Sequence, residues 1–261
     1  MDFLKQYGPW ALIAGGSEGV GASCARQLAR EGLKLVLVAR TPGPLEEVAQ
    51  QVRAECGAEV LPLSVDLSAI DAIEQVRRVT DALEVGLLIY NAGAQRHVAA
   101  FLDEPLEDLM KLIRLNAIGQ TAFSHHFGAK MRARGRGGII LVGSLSAYIG
   151  VPRMGVYSAS KAYCRILAES LWFELQPHGV HVLGLMLGNT RTPGTTRSKI
   201  KLAEPIAEPD DVAREGLAHL ADGPIWIAGG NEPGVAALSR LSRAEAVRMV
   251  HQGMLVNAPP E

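Results

Sequence analysis

The sequence predicts an α/β protein: one domain over residues 1–261, built as a three-layer, doubly wound parallel sheet. Three observations carry this. Short aliphatic runs alternate with longer stretches of helical period along the whole chain. Several of those runs are apolar at every position, the pattern of strands covered by helices on both faces. No long Ser/Gly/Pro linker and no short-period repeat divides the 261 residues.

The first strand is the apolar run Ala11 to Ala14, followed by a helix near 20–31. Leu35 to Ala39 makes the second strand, followed by a helix near 44–56. Val60 to Val65 and Val85 to Tyr90 flank a helix near 69–83, and a long helical stretch covers 105–131. Gly138 to Val142, a helix near 155–177 and His181 to Leu187 come next. A helix near 209–221 and the strand Ile225 to Ala228 close the alternation. Beyond it, Leu241, Ala244, Val247 and Met249 suggest a helix near 240–249, placed to cover the pocket or a neighbouring subunit. Strand-helix repetition of this kind puts the ligand beyond the carboxyl ends of the strands.

Formal net charge is -1, from 26 Lys plus Arg against 27 Asp plus Glu, which argues against a nucleic-acid partner. The start MDFLKQYGPW carries an acid at position 2 and no signal-like apolar run, and no later run reaches about 18 apolar residues. The expectation is a soluble, cytoplasmic protein without a membrane partner. Cys24, Cys56 and Cys164 are odd in number and scattered, which fits a reducing compartment better than disulfides or a metal cluster.

The turn GGSEGVG, Gly15 to Gly21, opens straight off the first strand. Such a turn lets backbone N–H groups reach a pyrophosphate at the positive end of the following helix. Its spacing, Gly-x3-Gly-x-Gly, fits the common dinucleotide fingerprint only loosely. A second constellation is sharper. Tyr157 and Lys161 in YSASK are four apart on one helical face. A phenol is a poor acid-base group at neutral pH, and a neighbouring ammonium favours its ionised form. Ser144 follows the strand IILVG, where its hydroxyl could bond a carbonyl oxygen, and Asn116 in RLNAIG sits inside a helix that does not favour Asn. Taken singly, each is more readily an ordinary structural residue: a core aromatic, a solvated charge, a strand-end hydroxyl.

Together, AGGSEGVG, YNAG (Tyr90 to Gly93), Asn116, Ser144, YSASK and LGNTRT resemble the short-chain dehydrogenase/reductases along nearly the whole chain. YGPWALIAGGSEGVG and LKLVLVAR are most similar to the 17β-hydroxysteroid and long-chain 3-ketoacyl reductase branch. The resemblance implies a Rossmann-like fold and an NAD(P)-dependent oxidoreductase. In it Tyr157 would be the general acid and base, and Lys161 would hold nicotinamide-ribose hydroxyls and favour the phenolate. Ser144 would orient the substrate oxygen, and Asn116 would organise a water-linked proton relay. Gly15, Ser17, Glu18, Gly19, Val20 and Gly21 would form the phosphate turn. Asp66 and Leu67 would meet the adenine, while Asn91, Ala92, Gly93, Gly188, Thr190 and Thr192 would line the rest of the cofactor cleft. It also implies a homodimer or homotetramer, built on the helices near 105–131 and 155–177.

This chain departs from the family pattern at three places: Ala14 for a common Thr, Tyr90 for the first Asn of NNAG, and Leu187 for a Pro before Gly188. Cofactor choice turns on the end of the second strand, Val38-Ala39-Arg40-Thr41. An acid there would bond the ribose hydroxyls of NAD and repel a 2′-phosphate. Ala39 removes that repulsion and Arg40 offers a planar fork for phosphate. NADP(H) is therefore favoured, although Glu18 counts against it and NAD(H) stays possible.

Residues 189–205, polar, basic and punctuated by Pro and Gly, are expected to form a lid over the substrate. Gln95, Tyr148, Ile149, Met154 and Met186 are candidate pocket-wall residues beside Ser144 and Tyr157. Arg191, Arg197, Lys199 and Lys201 could meet an anionic substrate or lie in solvent. The small-molecule substrate is expected to be a hydrophobic ketone or alcohol, steroid-like or 3-ketoacyl. The alternatives are a sugar or aromatic-diol dehydrogenase, or a catalytically silent dinucleotide sensor. His125 and His126, adjacent on a helix, do not make a metal pair, and no metal is expected.

Overall fold

The computed structural model of the chain describes residues 3–93, 99–197 and 204–257. Its elements run α1 (Phe3–Tyr7), β1 (Trp10–Ala14), α2 (Gly19–Arg30), β2 (Lys34–Ala39), α3 (Pro42–Cys56), β3 (Val60–Ser64), α4 (Ala72–Thr80) and β4 (Val85–Tyr90). There follow α5 (Leu106–Ile113), α6 (Gly119–Arg134), β5 (Gly137–Ser144), α7 (Gly155–Leu175), β6 (Val180–Leu187) and α8 (Pro193–Arg197). The chain continues through α9 (Pro209–Ala218), β7 (Ile225–Ile227), α10 (Glu232–Ser239) and α11 (Arg243–Asn257). The seven strands form one sheet in the order β3-β2-β1-β4-β5-β6-β7, and every pairing is parallel. The strand order reverses between β1 and β4, which is where a doubly wound sheet opens its ligand crevice.

Alternation along each strand feeds two apolar layers. Ala11, Ile13, Leu35, Leu37, Leu87 and Ile89 pack towards α2, α3 and α9. Leu12, Ala14, Val36, Val38, Leu88 and Tyr90 pack towards α4, α6 and α7. Because both faces are covered, the central strands are apolar throughout, as the sequence pattern predicted. The edge strand β3 is only partly buried and carries Pro62, a residue that a central strand could not accept without losing a ladder hydrogen bond. α3 begins on Pro42 and ends on Gly57 at φ 64°, using each residue where its backbone preference fits. No described helix is long and apolar enough to cross a membrane.

The expected long helix over 105–131 is a composite. α5 and α6 are joined by a π-helical turn, Arg114–Ile118, where one extra residue is taken into the winding. Three short helices were not anticipated. α1 docks beneath the sheet, where the Tyr7 hydroxyl lies 2.7 Å from His181 Nδ1. α8 lies inside the expected lid, and α10 starts at Glu232-Pro233 just after a glycine pair. Arginines gather at the end of α6 and just after it: Arg134 donates to the Val85 carbonyl and Arg136 pairs with Glu84.

Candidate active site

The site grows from the carboxyl ends of β1, β4, β5 and β6. The three motif glycines of the turn have separate tasks. Gly15 has φ 86°, and a Cβ there would come within 2.8 Å of the Ala92 nitrogen. Gly19, at φ 54°, lies under the Thr192 methyl group, with 3.0 Å to an added Cβ. Gly21 lets α2 settle on the Gly15 carbonyl, and a Cβ would also stand 2.8 Å from Asn91 Nδ2. Side chains are thus kept off this turn by its own neighbours, β4 and the loop after β6. The first backbone N–H groups of α2 have no partner within the helix, so its positive end can face an anion. Since the nearest atom to Gly21 is the backbone carbonyl oxygen of Gly15, which cannot swing aside, Gly21→Ala is expected to destabilise the protein by about 1–3 kcal/mol. Denaturant unfolding checks this, and an unchanged midpoint would contradict the packing described.

β4 ends in two residues that face opposite ways. Asn91 Nδ2 donates to the Gly15 carbonyl at 2.8 Å, and Tyr90 Oη donates to the Leu115 carbonyl at 2.8 Å. Asn116 lies in the π-helical turn, fully buried, and its Nδ2 donates to Ser160 Oγ at 3.0 Å. Ser160 in turn donates to the Tyr157 carbonyl at 2.7 Å. Lys161 is buried and donates to the Val142 carbonyl on β5 at 2.9 Å, with its Nζ 5.6 Å from the centre of the Tyr157 ring. These bonds hold the first turns of α7 against β5 and the π turn. Ser144 ends β5 and is half-buried, its Oγ 3.1 Å from Ser146 Oγ.

On the cofactor side, the Glu18 carboxylate is gripped at two points by Arg197 of α8, at 2.8 and 2.6 Å. This pair holds the Arg197 guanidinium above its usual range. Arg40 is exposed at the end of β2, and no described residue takes its guanidinium. Asp66 accepts from Ser68 N and Oγ at 3.0 and 2.7 Å beside the buried Leu67. Gly188 begins the loop after β6, packed against the Asn231 amide, and the buried Thr190 donates to the Gly188 carbonyl at 3.2 Å. Thr192 exchanges hydrogen bonds with Thr195 in α8.

A shallow, solvent-open depression is lined by Phe101, Glu104, Leu109, Arg153, Met154 and Tyr157, with Leu112 beside them. Of the expected wall residues, Met154 and Tyr157 line it. Met186 does not: it is fully buried between the sheet and α7, packed over Gly143 in the layer that also holds Cys164 and Ala168. Tyr148 turns its ring beneath the Arg165 guanidinium at 5.0 Å, and its carbonyl accepts from Arg243 of α11. Ile149, with Val151 and Met154, packs against Leu238, Leu241, Ala246 and Val247, so the C-terminal helices buttress the wall from behind. Gln95, Lys199 and Lys201 lie outside the described residues. Sequence reasoning missed Phe101, Leu109 and Arg153. Arg153 carried no signal at all, its left-handed φ of 63° being visible only in the fold.

The remaining candidates are structural. His126 contacts Asp81 at 2.8 Å, and among the described residues no group of His, Cys, Asp and Glu could hold a metal ion. Burial pushes the Cys164 thiol up, away from a reactive thiolate.

Residues 9–202 match the family model described as short chain dehydrogenase. The chain belongs to the short-chain dehydrogenase family. It is therefore a nicotinamide-dependent oxidoreductase, working on small molecules. It is 31% identical over 232 residues to the 7beta-hydroxysteroid dehydrogenase of Clostridium sardiniense, covering 88% of each chain. It is 34% identical over 186 residues to the very-long-chain 3-oxoacyl-CoA reductase of Podospora anserina, covering 69% of this dehydrogenase but only 55% of that relative. Among solved structures, one from work on 7beta-hydroxysteroid dehydrogenase stereoselectivity superposes with a TM-score of 0.90 at 27% identity, covering 96% of this chain and 99% of that one. A short-chain dehydrogenase from Sphingobium yanoikuyae in complex with NADPH gives 0.78 at 28% identity, covering 96% of each. These matches place the dehydrogenase near the hydroxysteroid and ketoacyl reductase branch.

Proposed function

We propose that this dehydrogenase is an NADP-preferring reductase of hydrophobic ketones, running in reverse as a secondary-alcohol dehydrogenase, with Tyr157 as its acid and base. The observation that carries the reading is the hydrogen-bonded path from Asn116 through Ser160 to the Tyr157 carbonyl, with Lys161 held on Val142 5.6 Å from the Tyr157 ring and Ser144 at the end of β5. When bound, the nicotinamide cofactor supplies or takes the hydride. Tyr157 Oη gives its proton to the carbonyl oxygen in reduction and recovers one in oxidation. The Ser144 hydroxyl donates to the same oxygen. Lys161, held by Val142, would carry the ribose hydroxyls of the cofactor, and Asn116 would help return a proton to Tyr157.

The residues present suit NADP. The glycine turn and the start of α2 would hold the diphosphate, and Asn91 to Gly93 with Thr190 and Thr192 the nicotinamide half. Glu18, which would otherwise repel a 2′-phosphate, is neutralised by Arg197, while the Arg40 fork has no partner among the described residues. Apolar Phe101, Leu109, Leu112 and Met154 beside Tyr157 support a hydrophobic substrate, as do the names of the two relatives, a 7beta-hydroxysteroid dehydrogenase and a very-long-chain 3-oxoacyl-CoA reductase. Within this single domain the proposed lid is 189–205, of which 198–203 lie outside the described residues, and the three free cysteines support a reducing, cytoplasmic setting. Oxidation of NADPH followed at 340 nm with a panel of bulky ketones tests the reading. Turnover of sugars or aromatic diols alone would redirect it, and binding of NADPH without any turnover would make the chain a sensor.

Assembly is proposed through α6 and α7, where Tyr163, Ile166 and Phe173 are 40%, 50% and 72% exposed along one helix. A homodimer or homotetramer is expected by small-angle scattering, a closed symmetric assembly. Phe173→Asp, which places a charge in the apolar stripe, is expected to shift it towards monomer. A monomeric wild-type chain at micromolar concentration would contradict the assembly.

A further inference from the structure

We infer that Tyr90 is a positioning residue for Asn116: its hydroxyl props open the π-helical turn Arg114–Ile118, and that turn aims the Asn116 side chain at Lys161. The inference rests on the proposed role of Asn116 in proton return. Its grounds are in the winding of the helix. The Gly119 N–H reaches back five residues to the Arg114 carbonyl. In an α-helix that N–H would go to Leu115, so the Leu115 carbonyl has lost its usual partner. Tyr90 Oη replaces it, donating at 2.8 Å from the end of β4. Gly119 makes room, since a Cβ there would strike the Tyr90 hydroxyl. The Tyr90 ring is fully buried and meets Phe123 edge-on, with centroids 5.4 Å apart and planes at 75°. Burial pushes the phenol up, so it remains a protonated donor throughout the working pH range.

Asn116 shows what the prop achieves. Its Nδ2 is taken by Ser160, whereas its Oδ1 is buried with no hydrogen-bond partner among the described residues. A Cβ placed on Gly93 would lie 3.3 Å from that Oδ1 and 2.9 Å from Lys161 Nζ, so acceptor and ammonium face the same space. A buried acceptor left open costs free energy unless water fills the place, and a water between these two groups is what a proton relay needs. Rewinding the turn to α geometry would swing Asn116 by about 100°, one residue's rotation, and end that alignment. The family pattern has Asn where this chain has Tyr90, so the prop belongs to this chain rather than to the motif.

The test compares Tyr90→Phe, Asn116→Ala and the double variant in NADPH-dependent ketone reduction. Tyr90→Phe keeps the ring and removes only the donor. It is expected to lower kcat about tenfold, the loss of one buried hydrogen bond. NADPH affinity should stay near wild type, and the solvent deuterium isotope effect on kcat should rise as proton return becomes limiting. The double variant should be no slower than Asn116→Ala alone, because the two losses share one route. Gly119→Ala, which drives a methyl group into the same hydroxyl, should show the same signature and serves if Tyr90→Phe does not fold. If neither variant folds, the bond is structural and the inference falls. Wild-type kcat and isotope effect in Tyr90→Phe would overturn it, as would multiplicative losses in the double variant. Full activity in Asn116→Ala with an inactive Tyr157→Phe would sink the inference and leave the proposed function standing. An active Tyr157→Phe would remove both.

Discussion

Tyr157→Phe is expected to lower ketone reduction by roughly two to four orders of magnitude, in practice abolishing turnover, while NADPH binds nearly as before. The hydroxyl is the group that moves the proton. The ring, the Ser160 bond to the Tyr157 carbonyl and the Lys161 bond to Val142 all survive the change. α7 should therefore keep its place and the cleft its shape. Fluorescence titration with NADPH, run beside the 340 nm assay, separates lost chemistry from lost binding. Near-normal reduction by the variant would remove Tyr157 from the proton-donor role.

Arg40→Ala is expected to weaken NADPH by roughly one to two decades, the range for one charge-assisted contact, and to leave NADH unchanged. NADH has no 2′-phosphate to lose. Ala39→Asp should go further, repelling the phosphate and offering an acceptor to the ribose of NADH. Ala39 is buried at the strand end, so the larger side chain must turn outwards beside Arg40, where the ribose would lie. Titration of both variants with both cofactors decides the matter. Equal weakening of NADH and NADPH in Arg40→Ala would make the arginine structural, and no effect on either would leave it a surface charge.

The parts of this protein that were legible from sequence are those written in short-range spacing. The apolar strands, the glycine turn and the four-residue step from Tyr157 to Lys161 each depend on neighbours a few positions away. The π turn is different. Its flanks have an ordinary helical period, and one extra residue in the winding changes no composition. Asn116 inside a helix and Gly119 just after it were its faint traces, and neither means anything without Tyr90, which arrives from β4. The grip of Arg197 on Glu18 spans 179 residues, so no local pattern could announce it. α10 was not anticipated, although Pro233 in its first turn is a start signal. Met186 was misplaced because its strand is apolar on both faces near its end, so the sequence does not show which residues are packed under α7 and which reach the cleft.

The bond from Asn91 to the Gly15 carbonyl has a meaning for the life of the chain in a cell. β1, β2 and β3 can pair once the first 64 residues have left the ribosome, but one wall of the glycine turn comes from the end of β4. A dinucleotide therefore finds its seat only in molecules whose two half-sheets have already joined. Ligand at one hundred times its Kd adds about 2.7 kcal/mol to the folded side, or about a hundredfold fewer unfolded copies open to proteases. The steady-state amount of this protein would then follow the supply of its own cofactor, rising and falling with the nicotinamide pool without any change in its synthesis.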